Sequence, residues 1–140
     1  MVPDDSRGVE IVAASSHEPR VLVAEDQALT RWALGQALAR VGFRVVAAEG
    51  REEACGHLYA MRFDAVVMSG VLAGRDMTDV IDGLARFQPQ TRLIVLCEDD
   101  GLAGRMARIP GATVFLKPFE MRALLAAVLG ASAEPSLLSA

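Results

Sequence analysis

Apolar residues gather in four short, unbroken runs: Val21-Leu22-Val23-Ala24, Ala65-Val66-Val67-Met68, Leu93-Ile94-Val95-Leu96 and Val114-Phe115-Leu116. Runs this short, β-rich and apolar at every position fit strands buried on both faces, as in a parallel sheet. A fifth run, residues 43–48, carries Arg44, which suits a sheet edge. Between successive runs lie 16 to 24 residues, enough for a helical crossover each time. Spacing within those segments predicts the helices. Leu34, Ala37, Leu38 and Val41 make an i, i+3, i+4, i+7 stripe closed by Gly42. Ala54, Leu58 and Met61 mark a second helix, and Val80, Ile81, Leu84 and Phe87 a third. Met121, Leu124, Leu125 and Val128 mark the last, opened by Pro118 and closed by Gly130. Residues 99–109 form the weakest helical segment, because Gly101 and Gly104 each cost about 1 kcal/mol in a helix interior. The pattern is (βα)5. Right-handed crossovers fold it into an α/β three-layer sandwich around a doubly wound, parallel five-stranded sheet, for which strand order 2-1-3-4-5 is a common solution.

Composition narrows the picture. At 140 residues the chain has material for one core, and 52% hydrophobic against 23% charged residues excludes wholesale disorder. Residues 1–19 are polar, with Pro3, Gly8, Ser15-Ser16 and Pro19, and read as a flexible tail in which residues 9–14 could add a strand. The domain is expected over 20–131, followed by a C-terminal tail over 132–140. The longest apolar stretches, residues 65–74 and 123–133, fall short of the roughly 18–20 residues that span a bilayer, and no secretory signal opens the chain. Cys55 and Cys97 lack CxxC spacing, which argues against a disulfide framework or structural zinc. A cytoplasmic protein with no membrane contact is expected. The net charge of -4 sits in the tails: residues 1–19 carry four acids against Arg7, Glu134 adds one more, and residues 20–130 hold thirteen acids and thirteen bases. No basic stripe marks a nucleic-acid surface. Lys117 is the only lysine among fourteen bases.

The residues with chemistry follow the strands. Glu25-Asp26 ends the first, Ser69 the third, Cys97-Glu98 the fourth and Lys117-Pro118 the fifth. In an open parallel sheet these ends share one edge, where such folds place their ligands. Two carboxylates, a hydroxyl, a thiol and an amine therefore converge.

With those residues in place, the chain resembles the receiver domain of bacterial response regulators over roughly residues 20–130. The stretch VLVAEDQALTRWALGQALARVGF is similar to the family's first strand, acidic pair and first helix. FDAVVMSGVLAG resembles the strand and loop that carry the phosphoryl-accepting aspartate, and LKPF the lysine–proline pair, whose peptide bond is commonly cis. The resemblance implies a flavodoxin-like, CheY-like fold and a place in two-component phosphorelay signalling. Its partners would be a histidine kinase, a phosphotransfer protein, an output protein or a second copy of the chain.

Departures from the pattern matter as much. Ser69 stands where the family has its acceptor aspartate, Cys97 where it has a switch threonine or serine, Glu98 where a small residue follows, and Ala73 where the loop has proline. Phe115 lies two residues before the lysine, against three for the family's switch aromatic. Ser69 removes both a carboxylate nucleophile and a hard Mg2+ ligand, and a hydroxyl needs a general base that neither His17 nor His57 is placed to supply. Glu98 adds a negative charge where a phosphoryl group would sit. Glu25 and Asp26 either keep a weak Mg2+ site or pair with Lys117, and the missing acceptor carboxylate favours pairing. Cys97 is either a redox-active thiol beside Lys117 or a small packed hydrophobe, and packing is the commoner use. Lys117 should lie in ion-pair contact with Glu25, Asp26 or Glu98.

The expected function is an atypical, degenerate receiver: an interaction module that works without aspartyl phosphorylation and is not an enzyme. Trp32 should stand outside the first helix as a partner contact or as bare surface, with Phe115, Met121 and Leu125 as further interface candidates. Two alternatives remain. The chain could be the receiver part of a longer regulator whose output domain lies elsewhere, or a hydrolase or transferase using the strand-end site. Against the last, Val67-Met68-Ser69-Gly70 lacks the first glycine of a nucleophile elbow, and no Walker A or GxGxxG motif follows the first strand.

Overall fold

The computed structural model describes residues 18–130, so the strand considered for residues 9–14 lies outside the described residues. The chain runs β1 (Arg20–Ala24), α1 (Ala28–Arg40), β2 (Arg44–Ala48), α2 (Arg51–Ala60), β3 (Ala65–Ser69), β4 (Val71–Leu72), β5 (Arg75–Asp76), α3 (Thr78–Phe87), β6 (Arg92–Cys97), α4 (Asp100–Met106), β7 (Ala112–Leu116) and α5 (Met121–Leu129). Five parallel strands pair in the order β2-β1-β3-β6-β7. This is the expected 2-1-3-4-5 arrangement, with the small β4–β5 ribbon interposed in the numbering.

Strand pleating divides the core in two. Leu22, Val66, Met68 and Val95 face α2, α3 and α4, meeting Ala54, Ile81, Leu84, Leu102 and Met106. Val21, Val23, Val67 and Ile94 face α1 and α5, meeting Leu34, Leu38, Leu124 and Val128. The central strands β1, β3 and β6 are buried nearly throughout. The last run departs from expectation. β7 is an edge strand with Thr113 and Leu116 exposed, so it is not buried on both faces. At the other edge lies β2, as Arg44 suggested.

The helix stripes hold, apart from their ends. Val41 is exposed because α1 stops there, Gly42 takes a left-handed φ of 102°, and Phe43 enters the core in its place. Phe87, the final residue of α3, is also exposed. Pro118 does not open α5: the helix starts at Met121, and Pro118 lies before it across a cis Lys117–Pro118 bond. Gly130, at φ 78°, closes α5 as expected. The weak segment forms a short α4, capped by Asp99, whose carboxylate accepts from the Leu102 amide at 2.8 Å. A cap of this kind contributes about 1 kcal/mol, which offsets one of the two glycines.

The β4–β5 ribbon has no counterpart in the sequence pattern. Its turn places Ala73 (φ 49°) and Gly74 (φ 80°) both in the left-handed region, the signature of the primed hairpin turns. Gly70, just before it, is buried so closely under α4 that a Cβ would come within 2.9 Å of a Leu102 methyl.

Candidate functional site

The strand registers bring the predicted residues together. Ala24 is level with Met68, Ser69 with Leu96, and Cys97 with Leu116, so Glu25, Ser69, Glu98 and Lys117 leave the sheet on neighbouring rungs. Backbone hydrogen bonds carry the ladders past the strand ends: Glu25 N–H donates to Ala48, Gly70 N–H to Leu96 and Lys117 N–H to Cys97.

Glu25 is the centre of the site and is fully buried. Its Oε1 accepts from Ser69 Oγ at 2.7 Å and from Lys117 Nζ at 2.8 Å, while Oε2 accepts from the Gln27 amide at 2.9 Å. Burial by itself pushes this carboxyl up; the Lys117 ammonium, the Gln27 amide and the Ser69 hydroxyl outweigh that and hold it below the ordinary glutamate range. Arg31 on α1 braces the loop by donating to the carbonyls of Glu25 and Asp26. The Lys117 ammonium also lies 3.4 Å from Ser69 Oγ and 3.7 Å from Glu98 Oε2. Lys117 therefore meets Glu25 and Glu98, two of its three expected carboxylate partners, while Asp26 is exposed at the rim of the same depression.

The donor atoms do not suit a magnesium ion. A hard dication takes oxygen ligands, usually one or two carboxylates together with water and phosphate. Both Glu25 oxygens are already engaged, its charge is matched by Lys117, and Ser69 presents a neutral hydroxyl whose proton is directed at Glu25. Among the described residues no group of three or more His, Cys, Asp or Glu side chains gathers to hold a metal.

Cys97 resolves towards packing. Its side chain is buried in the core facing α4, and burial, followed by the nearby Asp99 carboxylate, pushes its thiol pKa up, the opposite of a reactive thiolate. Phe115 is also turned inward. It is half-buried, with its ring 6.4 Å from that of Phe119 at 60°, on the α1–α5 side of the sheet. Because strand side chains alternate, an aromatic two residues before Lys117 faces α5, whereas the residue three before, Val114, faces the α4 side.

The interface candidates divide accordingly. Trp32 is 62% exposed, as its helical position requires. Phe115, Met121 and Leu125 are partly buried and packed on the core. Leu29, 77% exposed one turn before Trp32, was missed; i, i+3 spacing from Trp32 is the signal that finds it.

Against known proteins, the model for the response regulator receiver domain matches residues 21–129. A response regulator from Burkholderia pseudomallei, solved with a phosphorylated aspartic acid, calcium ion and citrate, superposes with a TM-score of 0.73 at 23% identity, covering 88% of this chain and 74% of that one. A CheY-like receiver domain protein from Methanospirillum hungatei gives 0.74 at 18% identity, covering 87% and 99%. A response regulator from Thermotoga maritima gives 0.67 at 27% identity, covering 81% and 97%. No protein of curated function matches the chain. Among the described residues, no helix is long and apolar enough to cross a membrane.

Proposed function

The chain belongs to the response regulator receiver domain family of two-component signalling, and from that premise we propose that it signals by protein–protein contact without aspartyl phosphorylation. One observation carries the reading. The residue at the acceptor position, Ser69, is 98% buried and donates its hydroxyl to Glu25, and the same carboxylate holds Lys117. A receiver carboxylate attacks a phosphohistidine with a metal neutralising the oxygens. Here the nucleophile is a neutral hydroxyl whose hydrogen-bonded carboxylate is a weakened base, its pKa depressed by Lys117, Gln27 and Ser69 against the effect of burial. We infer equally that no Mg2+ resides at Glu25 and Asp26, because Lys117 already matches the Glu25 charge and Ser69 supplies a neutral hydroxyl in place of a carboxylate ligand.

Partners on this reading are a histidine kinase, a phosphotransfer protein or an output protein that recognises the fixed surface. Trp32 supplies its apolar anchor, a residue kind enriched at the centres of interfaces, and the exposed Leu29 one turn before it on α1 extends the apolar contact. The test uses acetyl phosphate with Mg2+, read by intact mass, and beryllofluoride with Mg2+, read by stoichiometric uptake. Unchanged mass and no uptake are expected. A phosphoryl mass gain, or beryllofluoride bound at Ser69, overturns the proposal.

A further inference from the structure

We propose that Glu98, as a second carboxylate on Lys117 beside Glu25, ties the start of α4 to the β7–α5 loop. The position of α4 is thereby set from within the chain. The inference rests on the reading of Ser69 as a site without a phosphoryl acceptor.

The Lys117 ammonium has three N–H groups. Two are accounted for on the floor of the site by Glu25 Oε1 and Ser69 Oγ, and Glu98 Oε2, at 3.7 Å, is the remaining anion in contact. Glu98 is also well placed to act on α4. It immediately precedes Asp99, whose carboxylate caps the helix, and follows Cys97, whose carbonyl accepts from the Lys117 amide at 2.9 Å. The tie therefore spans two adjacent connections through one backbone hydrogen bond and one ion pair.

α4 is the element for which one tie makes a difference. It is seven residues long with Gly101 and Gly104 inside it, so its intrinsic helix stability is low. Its other anchors include Leu102 and Met106 against Gly70 and the core, the Asp99 cap, and an exposed Arg105–Asp76 ion pair to the ribbon. A diffusing oxyanion would compete poorly for Lys117. The depression beside it, about 280 Å³, is bordered by Asp26, Glu98 and Asp99, whereas a carboxylate already joined to the chain loses no translational freedom on pairing.

The sole lysine makes the test clean, since its side-chain NMR resonance needs no assignment. Glu98 is 67% exposed in its side chain, so Glu98→Gln leaves folding intact. The variant should shift the Lys117 resonance and speed hydrogen exchange at the Leu102, Ala103 and Ala107 amides about two- to fivefold, the range for a partly exposed ion pair. Amides of β1 and β3 should be unaffected. Asp82→Asn, which removes the same charge from α3, should change neither readout. High salt should bring the wild type towards the Glu98→Gln values. An unmoved Lys117 resonance overturns the pairing, and unchanged α4 exchange overturns the tie. Either result leaves the acetyl phosphate outcome standing, and a phosphoryl mass gain there leaves these two readouts interpretable, so the two failures are distinguishable.

Discussion

At the ends of β1, β3 and β7, one carboxylate, one hydroxyl and one ammonium form a closed group around Glu25, which has no exposure to water. Around the β4–β5 ribbon, Arg51–Asp79, Arg75–Glu52 and Arg105–Asp76 form a second charged set, linking the ribbon and the start of α3 to α2 and α4. The Arg51–Asp79 pair even has the better geometry, a two-pronged contact at 3.1 and 2.9 Å. Burial separates the two regions. When a pair in water loses one partner, the other is re-solvated; a buried charge has no such recourse. The first region should therefore behave as a single structural unit and the second as a set of weak, independent contacts.

Removing Lys117 tests this most severely. Lys117→Met keeps the side chain's bulk and leaves Glu25 buried and unpaired, a change expected to destabilise the domain by about 3–5 kcal/mol. Urea unfolding followed by circular dichroism measures it. The double variant Glu25→Gln, Lys117→Met should recover much of the loss. The pH dependence should also weaken. In the wild type the folded Glu25 pKa is depressed, so its contribution is fully present above the unfolded value near ~4.3 and is lost as pH falls through the folded value. Without Lys117 the strongest pKa-lowering partner is gone, while burial, the Gln27 amide and the Ser69 hydroxyl remain, so the folded pKa rises towards the unfolded one. The stability that Glu25 contributes at neutral pH then shrinks, and less of it is left to lose on acidification. A Lys117→Met protein with the wild-type pH profile would show that Glu25 is not held this way.

The second region offers a gain. Ala73 occupies left-handed backbone that costs a residue with a Cβ about 1–2 kcal/mol. Ala73→Gly removes that cost but adds freedom to the unfolded chain. The net expectation is a stabilisation of up to about 1 kcal/mol, seen as a higher urea midpoint at unchanged slope. An unchanged or lower midpoint would mean that the turn is not held in this conformation.

The same contrast governs what could be read from the sequence. Glu25, Ser69 and Lys117 were legible because apolar run lengths fix where each strand ends, and parallel register then forces those ends together. The ribbon was not. Its strands are two residues each, and its turn has alanine where asparagine or aspartate would have signalled a primed hairpin. The arginine pairings depend on helix starts and side-chain reach, which periodicity does not report. Met121 and Leu125 are partly buried for a reason visible in the pattern: they belong to the α5 stripe that faces the core. Trp32 is exposed because it lies opposite its own helix's stripe.

The smallest effect belongs to the pair with the best geometry. Arg51 and Asp79 are held at ideal distances, yet the Asp79 side chain is 69% exposed, so water and salt compete with each bond. The Arg51 contact lowers the Asp79 pKa, but in an exposed pair that shift translates into little stability. Arg51→Ala should therefore lower the urea midpoint slightly at low ionic strength and not measurably in about 1 M NaCl, where the screening length falls to roughly 3 Å. The Lys117→Met loss should persist under the same salt, because counter-ions do not reach a fully buried carboxylate. An Arg51→Ala loss that matched it, or that survived high salt, would mean that geometry and not burial ranks the ion pairs of this domain.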